Sequence, residues 1–166
     1  MPTINKAGTN MEKYPISRNG FDALVKELKD LKEVQRPEIL KTVQWARSLG
    51  DLSENADYSA AKEKQRQIDK RIQFIEGVIA NASVVDIDSL TGNRVVFGAR
   101  VIAEDEDGNQ MQCRILSDIE ADGRTVISCT SPVGRAMIGR CVGDTCIVKL
   151  PSGEKEYEIL EVKFKE

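Results

Sequence analysis

Apolar residues recur at helical spacing through the first half of the chain. Phe21, Leu24, Leu28 and Leu31 fall three and four apart, Val25 widens the stripe, and Ser17 ahead of them suits an N-cap. Pro37 interrupts the pattern, either as a kink or as the first residue of a continued helix. Beyond it the stripe resumes at Ile39, Val43 and Ala46, displaced by a four-residue insertion that unwinds a coiled coil locally without ending it. After a polar, glycine-containing break from Trp45 to Tyr58, the positions Tyr58, Ala61, Gln65, Ile68, Ile72, Ile75, Ile79 and Ala82 repeat in a three-four rhythm, a sustained heptad seam. Two helices of roughly 30 residues make a rod about 45 Å long, and their short connection favours antiparallel pairing. The break then becomes the tip of a helical hairpin.

From Val84 the texture changes to β-rich runs separated by turn residues. The stretches 94–103 and 110–116 flank a hairpin signal containing Asp107-Gly108; 125–129 is a further strand, 132–139 holds one or two helical turns, and 145–150 pairs with 156–164 across Pro151 to Gly153. The predicted class is α+β: an N-terminal antiparallel coiled-coil hairpin, then a small antiparallel β-sheet domain with one short helix. The predicted division is a disordered leader over 1–10, the hairpin over 11–83, a boundary over 84–93 and the sheet domain over 94–166, with Met1 or Met11 as the start.

Composition narrows the chemistry. The 166 residues include no histidine, which removes the commonest general base and every histidine-bearing zinc site. The four cysteines, Cys113, Cys129, Cys141 and Cys146, form no C-x-x-C pair and read as small apolar residues of a reduced protein. The helical half is near neutral, with 12 Lys/Arg against 11 Asp/Glu from Arg18 to Glu76, whereas Val84 onward has 10 against 15. That acidic half is poor bait for nucleic acid, which needs concentrated positive charge. No apolar run approaches the ~20 residues of a membrane span. The polar start, Met1 to Asn10, carries no export signal, so the cytoplasm is the default location.

Chemistry concentrates at the break. Asp51 and Glu54 lie three residues apart at the start of the second helix. One reading is a capping box, with Asp51 or Ser53 accepting from free backbone N–H groups. The other is an incomplete divalent-cation site, since Mg²⁺ takes oxygen ligands and is often held by one or two carboxylates plus water and phosphate. Arg47 and Lys62, on either side, can hold phosphate oxygens. Trp45 and Tyr58 are aromatic neighbours, and Tyr58 falls on the seam, where packing is favoured over a stacking role.

The run Gly50 to Tyr58, with Ala46-Arg47 before it and Ala60 to Glu63 after it, closely resembles the tip signature of the bacterial Gre transcript-cleavage factors, nearest to their A-type members. Weaker matches lie at Arg36 to Ile39, Val95 to Ala99, Ser131-Pro132 and Ile138-Gly139, so the resemblance extends from about Met11 to the C-terminus. It implies an accessory factor, itself no enzyme. The hairpin would enter the secondary channel of RNA polymerase while an FKBP-like C-terminal domain grips its rim. The polymerase would then hydrolyse the 3′ end of backtracked nascent RNA. By residue match, Asp51 and Glu54 would share a catalytic Mg²⁺ completed by polymerase, Arg47 and Lys62 would meet the RNA, and Ser131 and Pro132 would contact polymerase. A seam satisfied within one hairpin needs no partner helix, which makes a monomer the expectation. Lys62 stands where the family commonly has arginine. Val133-Gly134 loosens the polymerase-contacting loop.

The rival classes are a free-standing nuclease, a prolyl isomerase or plain adaptor, and a family paralogue that inhibits polymerase. Two acids on an exposed tip cannot exclude water or complete a two-metal site alone. The C-terminal half offers only Phe97, Tyr157 and Phe164 as aromatics for an isomerase pocket. Retention of both tip acids favours cleavage over inhibition.

Overall fold

A heptad stripe needs a second stripe to cover it, and alternating strands need a covered face. The chain meets these demands in two units, Phe21–Asn81 and the combination of Met1–Gly20 with Ala82–Glu166. The computed structural model describes residues 14–50 and 55–165, with the backbone alone of 3–4 and 10–11. Asp51, Ser53, Glu54 and most of the predicted leader lie outside the described residues.

In the helical unit, α1 (Arg18–Asp30), a π-turn (Leu31–Gln35) and α2 (Arg36–Ser48) follow one another directly, and α3 (Ala56–Asn81) returns alongside. The π-turn is closed by the Arg36 N–H donating to the Leu31 carbonyl. Its cause is Pro37, whose ring in a regular α-helix would press on the carbonyl of Glu33 four residues back; the wider turn, with one extra residue, relieves that crowding. The expected four-residue insertion is therefore corrected. Burial runs through Leu24, Leu28, Leu31, Gln35, Ile39, Val43 and Ala46, and the three successive steps of four after Leu31 absorb one residue.

α3 contributes Ala61, Ile68, Ile72 and Ile75 as buried residues on the predicted seam, with Tyr58, Gln65 and Ile79 half-buried between and beyond them. Its 26 residues span about 39 Å. Cross-links confirm the antiparallel register: Arg71 forks onto Glu27 (2.7 and 2.9 Å), Arg36 meets Asp69 (2.9 Å), and Lys32 meets Glu76. These pairs are about 40–50% exposed, so each contributes at most ~1 kcal/mol and serves register more than stability.

In the other unit, β1 (Thr3–Ile4) pairs antiparallel with β2 (Asn10–Met11). β3 (Tyr14–Ser17) and β4 (Ala82–Val85) pair in parallel, Tyr14 beside Ala82 and Ser17 beside Val85, so the chain leaves for the hairpin and returns from it through neighbouring strands. Ser17 caps α1 as expected, its Oγ accepting from Gly20 N at 3.0 Å. The Glu120 carboxylate accepts from Ser17 N (3.3 Å) and Ser17 Oγ and also from Ser117 N (3.3 Å) and Ser117 Oγ (2.7 Å). Gly20 leaves room for it: a Cβ there would fall 2.2 Å from Glu120 Oε1.

The main sheet has the order β7-β6-β5-β9-β8, from β5 (Arg100–Asp105), β6 (Gln110–Leu116), β7 (Val126–Ser128), β8 (Thr145–Leu150) and β9 (Gly153–Lys163), with α4 (Pro132–Met137) packed against β8. Alternation delivers Val101 and Ala103 of β5 and Cys146 and Val148 of β8 to a core shared with Ile115, Met137 and Ile159. Two expectations are corrected. The sheet is mixed, because β7 lies parallel to β6. The connection through residues 117–125 carries the chain back along β6, and Asp122 fixes its end by accepting from the N–H groups of Arg124, Thr125 and Val126 at 2.7–2.9 Å. The strand expected from Arg94 begins at Arg100. Gly98 takes φ +93°, and Ala99 N donates to Val96 O (3.0 Å), so residues before Arg100 form a turn although Val95 remains core. The Asp107-Gly108 hairpin stands as predicted, and β8 pairs with β9 as predicted, but β9 starts at Gly153 rather than 156, so the turn between them is Pro151-Ser152 alone.

Burial pushes the Cys113 thiol up to about 11 and raises that of Cys146. Both sit in the core, in the role expected of small apolar residues. No helix among the described residues is long and apolar enough to cross a membrane.

Candidate functional site at the hairpin tip

α2 ends where its carbonyls find local donors. Ser48 Oγ donates to Trp45 O (2.6 Å), Leu49 N to Ala46 O (3.2 Å) and Gly50 N to Arg47 O (3.4 Å). Gly50 then adopts φ +111°, a left-handed conformation that releases the chain from the helix and is open to glycine at little cost.

On the returning side, Asn55 begins α3. Its Oδ1 accepts from Tyr58 N at 2.9 Å, three residues on, which is the N-cap geometry. Its Nδ2 donates to Ala46 O at 2.6 Å, tying the start of α3 to the last turn of α2. One amide thus caps a helix and clasps the hairpin on either side of the sequence that carries Asp51 and Glu54. Asn55 is thus an N-cap of α3, and the capping box expected of Asp51 or Ser53 falls outside the described residues. The signal was in the sequence, an Asn directly before the seam, but the nearby Asp51, Ser53 and Glu54 fit the same motif.

Arg47 and Lys62 come together around Tyr58. The Arg47 guanidinium lies 5.8 Å from the Tyr58 ring centroid, and its hydrogen bond to the hydroxyl, with smaller pulls from the charges of Arg47 and Lys62, lowers the Tyr58 pKa. Lys62 Nζ also donates to Gln65 Oε1 (3.2 Å). The tip therefore displays two cations beside one tyrosine, one from each helix: Arg47 over the ring, and Lys62 near enough for its charge to act on the hydroxyl. Among the described residues no cluster of three or more histidine, cysteine or acidic side chains could hold a metal ion.

Ser131 and Pro132 belong to the other unit. Ser131 caps α4, its Oγ accepting from Gly134 N (3.1 Å) and donating to Ser128 O (2.6 Å), and Pro132 takes the first helical turn, where no N–H is needed. Gly134 went unrecognised as a packing residue. A Cβ there would fall 2.3 Å from Ser128 O and 3.1 Å from Cys129 Cα, so the close approach of α4 to the end of β7 requires glycine. No spacing rule exposes that contact. Nor does one expose Glu120, whose partner Ser17 lies 103 residues away.

The family model described as "Transcription elongation factor, N-terminal" matches residues 14–84, and "Transcription elongation factor, GreA/GreB, C-term" matches 90–164. The chain belongs to the GreA/GreB family. Transcription elongation factor GreA of Anaeromyxobacter sp. (strain K) is 51% identical over 158 residues, covering 94% of this chain and 95% of that protein. The GreA of Helicobacter pylori (strain 26695) is 42% identical, covering 94% and 96%. Among solved structures, the GreA factor homolog 1 (Gfh1) of Thermus thermophilus aligns over 91% of this chain and 99% of its own at 25% identity, with a TM-score of 0.43. The first family match ends within β4 and the second begins just after the short 3₁₀ turn Ile87–Ser89. Family membership covers the tip and the Ser131-Pro132 turn alike.

Proposed function

We propose that the chain is an accessory factor of RNA polymerase in the cytoplasm, acting as a monomer whose hairpin tip stimulates polymerase to hydrolyse the 3′ end of backtracked nascent RNA and so restarts arrested elongation. The observation that carries the reading is the construction of the tip. Asn55 supplies an N-cap for α3 from its own side chain. That supports reading the neighbouring Asp51 and Glu54, by their match to the family, as ligands rather than as caps.

Their donor set suits Mg²⁺, which prefers oxygen ligands and tolerates few protein carboxylates when phosphate and water complete its shell. When bound, such an ion stabilises the charge that develops on a phosphodiester and lowers the pKa of a bound water. Asp51 and Glu54 would hold it together with groups from polymerase, Glu54 also orienting the attacking water. Arg47 and Lys62 hold the extruded RNA by its phosphates. Arg47, already over Tyr58, offers the planar fork; Lys62 offers a point charge. Ser131, Pro132 and the α4 turn that they open contact polymerase from the second unit.

The test is cleavage of a stalled, backtracked elongation complex. Asp51→Ala and Glu54→Ala should each abolish stimulated cleavage while melting temperature and polymerase binding stay near wild type. Wild-type cleavage by both variants would remove the metal-sharing mechanism. RNA cleavage by the purified chain with Mg²⁺ and no polymerase would make it a nuclease.

A further inference from the structure

We propose that Trp45 is a stacking platform for a base of the single-stranded RNA handled at the tip, a positioning residue beyond the acids and cations named above. The proposal rests on the reading just given and names a further contact of the same site.

Trp45 is the chain's one tryptophan, and it is 55% exposed near the end of α2. Leu49, one turn later on the same face, is 54% exposed, and Lys41, one turn earlier, is also exposed. This face turns away from the seam residues Val43 and Ala46, so covering it would add nothing to the hairpin core. The other aromatics of the hairpin's described helices with a charged neighbour are already engaged: Tyr58 lies under Arg47, and Phe74 lies under Arg71 at 5.3 Å. Among the described residues no cation lies over Trp45.

Charge selects the occupant. From Ile39 to Gly50 the chain carries Lys41 and Arg47 and no acid. An exposed indole one turn from Lys41, on a stretch without carboxylates, matches how proteins hold single strands: cations follow the phosphates, and an aromatic face stacks on a base whatever its identity. A duplex has no free base face to offer.

The experiment combines a protein change with an RNA change in backtracked complexes assembled with the full chain. Trp45→Ala should raise the factor concentration for half-maximal cleavage about tenfold, in line with the loss of one base stack. Trp45→Phe should restore most of it, and the melting temperature should not move. When the extruded nucleotides are made abasic, wild type and Trp45→Ala should converge. An undiminished Trp45→Ala defect on abasic RNA would place the indole against the polymerase protein and overturn the proposal, as would the absence of any defect on normal RNA. Asp51→Ala, run in parallel, keeps the failures apart: it tests the cleavage mechanism whether or not Trp45 stacks.

Discussion

Replacing Asn55 by alanine removes two hydrogen bonds from one residue. Loss of the N-cap on Tyr58 N costs about 1 kcal/mol, within a range of roughly 0.5–2. Loss of the 2.6 Å bond to Ala46 O costs about another 1 kcal/mol. That carbonyl still accepts from Leu49 N, so no acceptor is stranded, and the sum stays near 2 kcal/mol. Asn55→Asp separates the parts. It keeps an acceptor for Tyr58 N and adds a charge that the N-terminus of α3 favours by ~0.3–1 kcal/mol, but it loses the donor and turns an anionic oxygen toward Ala46 O. A loss of about 1 kcal/mol is expected for it. Urea unfolding followed by helical circular dichroism gives both values, with unchanged slopes confirming that stability alone has moved. A cost below about 0.5 kcal/mol for Asn55→Ala would refute the assignment and return the cap to Asp51 or Ser53.

Further outcomes follow from the sheet unit. Gly134→Ala should destabilise by about 1–3 kcal/mol, because the new Cβ meets backbone that must shift, and the loss should appear as a lower melting temperature. With its thiol pushed up to about 11, Cys113 should react with iodoacetamide at pH 8 far more slowly in the native protein than in urea, read site by site by mass spectrometry. Asp122 is held below the ordinary carboxylate range, first by the Thr125 hydroxyl and then by backbone N–H groups. Its folded pKa is depressed, so its contribution is complete above the unfolded value of about 3.9 and is lost as pH falls toward the folded one. Urea midpoints between pH 6 and pH 2.5 should therefore fall less steeply for Asp122→Asn than for wild type.

The α3 seam was legible because one heptad period runs through it and a packed hairpin uses that period directly. The shift near Pro37 was visible too, but its form was not: a π-turn is made by the backbone bond from Arg36 to Leu31, and apolar spacing reports only that the phase has moved. Strands that pair through tight hairpins were read correctly, since turn chemistry and alternation agree there. β7 was found but misaligned, because its direction depends on Asp122 folding a connection back along β6, a choice that no local period encodes. At the tip, Arg47 and Lys62 followed from charge. The roles of Asp51 and Glu54 came from resemblance, because two acids ahead of a helix spell a cap as readily as a metal site.

The π-turn also works as an expansion joint. Ile39, Val43 and Ala46 lie eight, twelve and fifteen residues after Leu31, one more in each case than an unbroken heptad gives, and the wide turn takes up that residue so that all three still meet the seam. Deleting Val34 would set them seven, eleven and fourteen residues after Leu31, the spacing of a regular heptad, and would leave Arg47 and Trp45 on the sides of the rod that they now occupy. Each residue of a regular helix advances the azimuth by about 100°, so it is the loss of the wide turn without the loss of a residue that would re-aim the tip, and the joint keeps the bearing of the tip independent of the extra residue far below it.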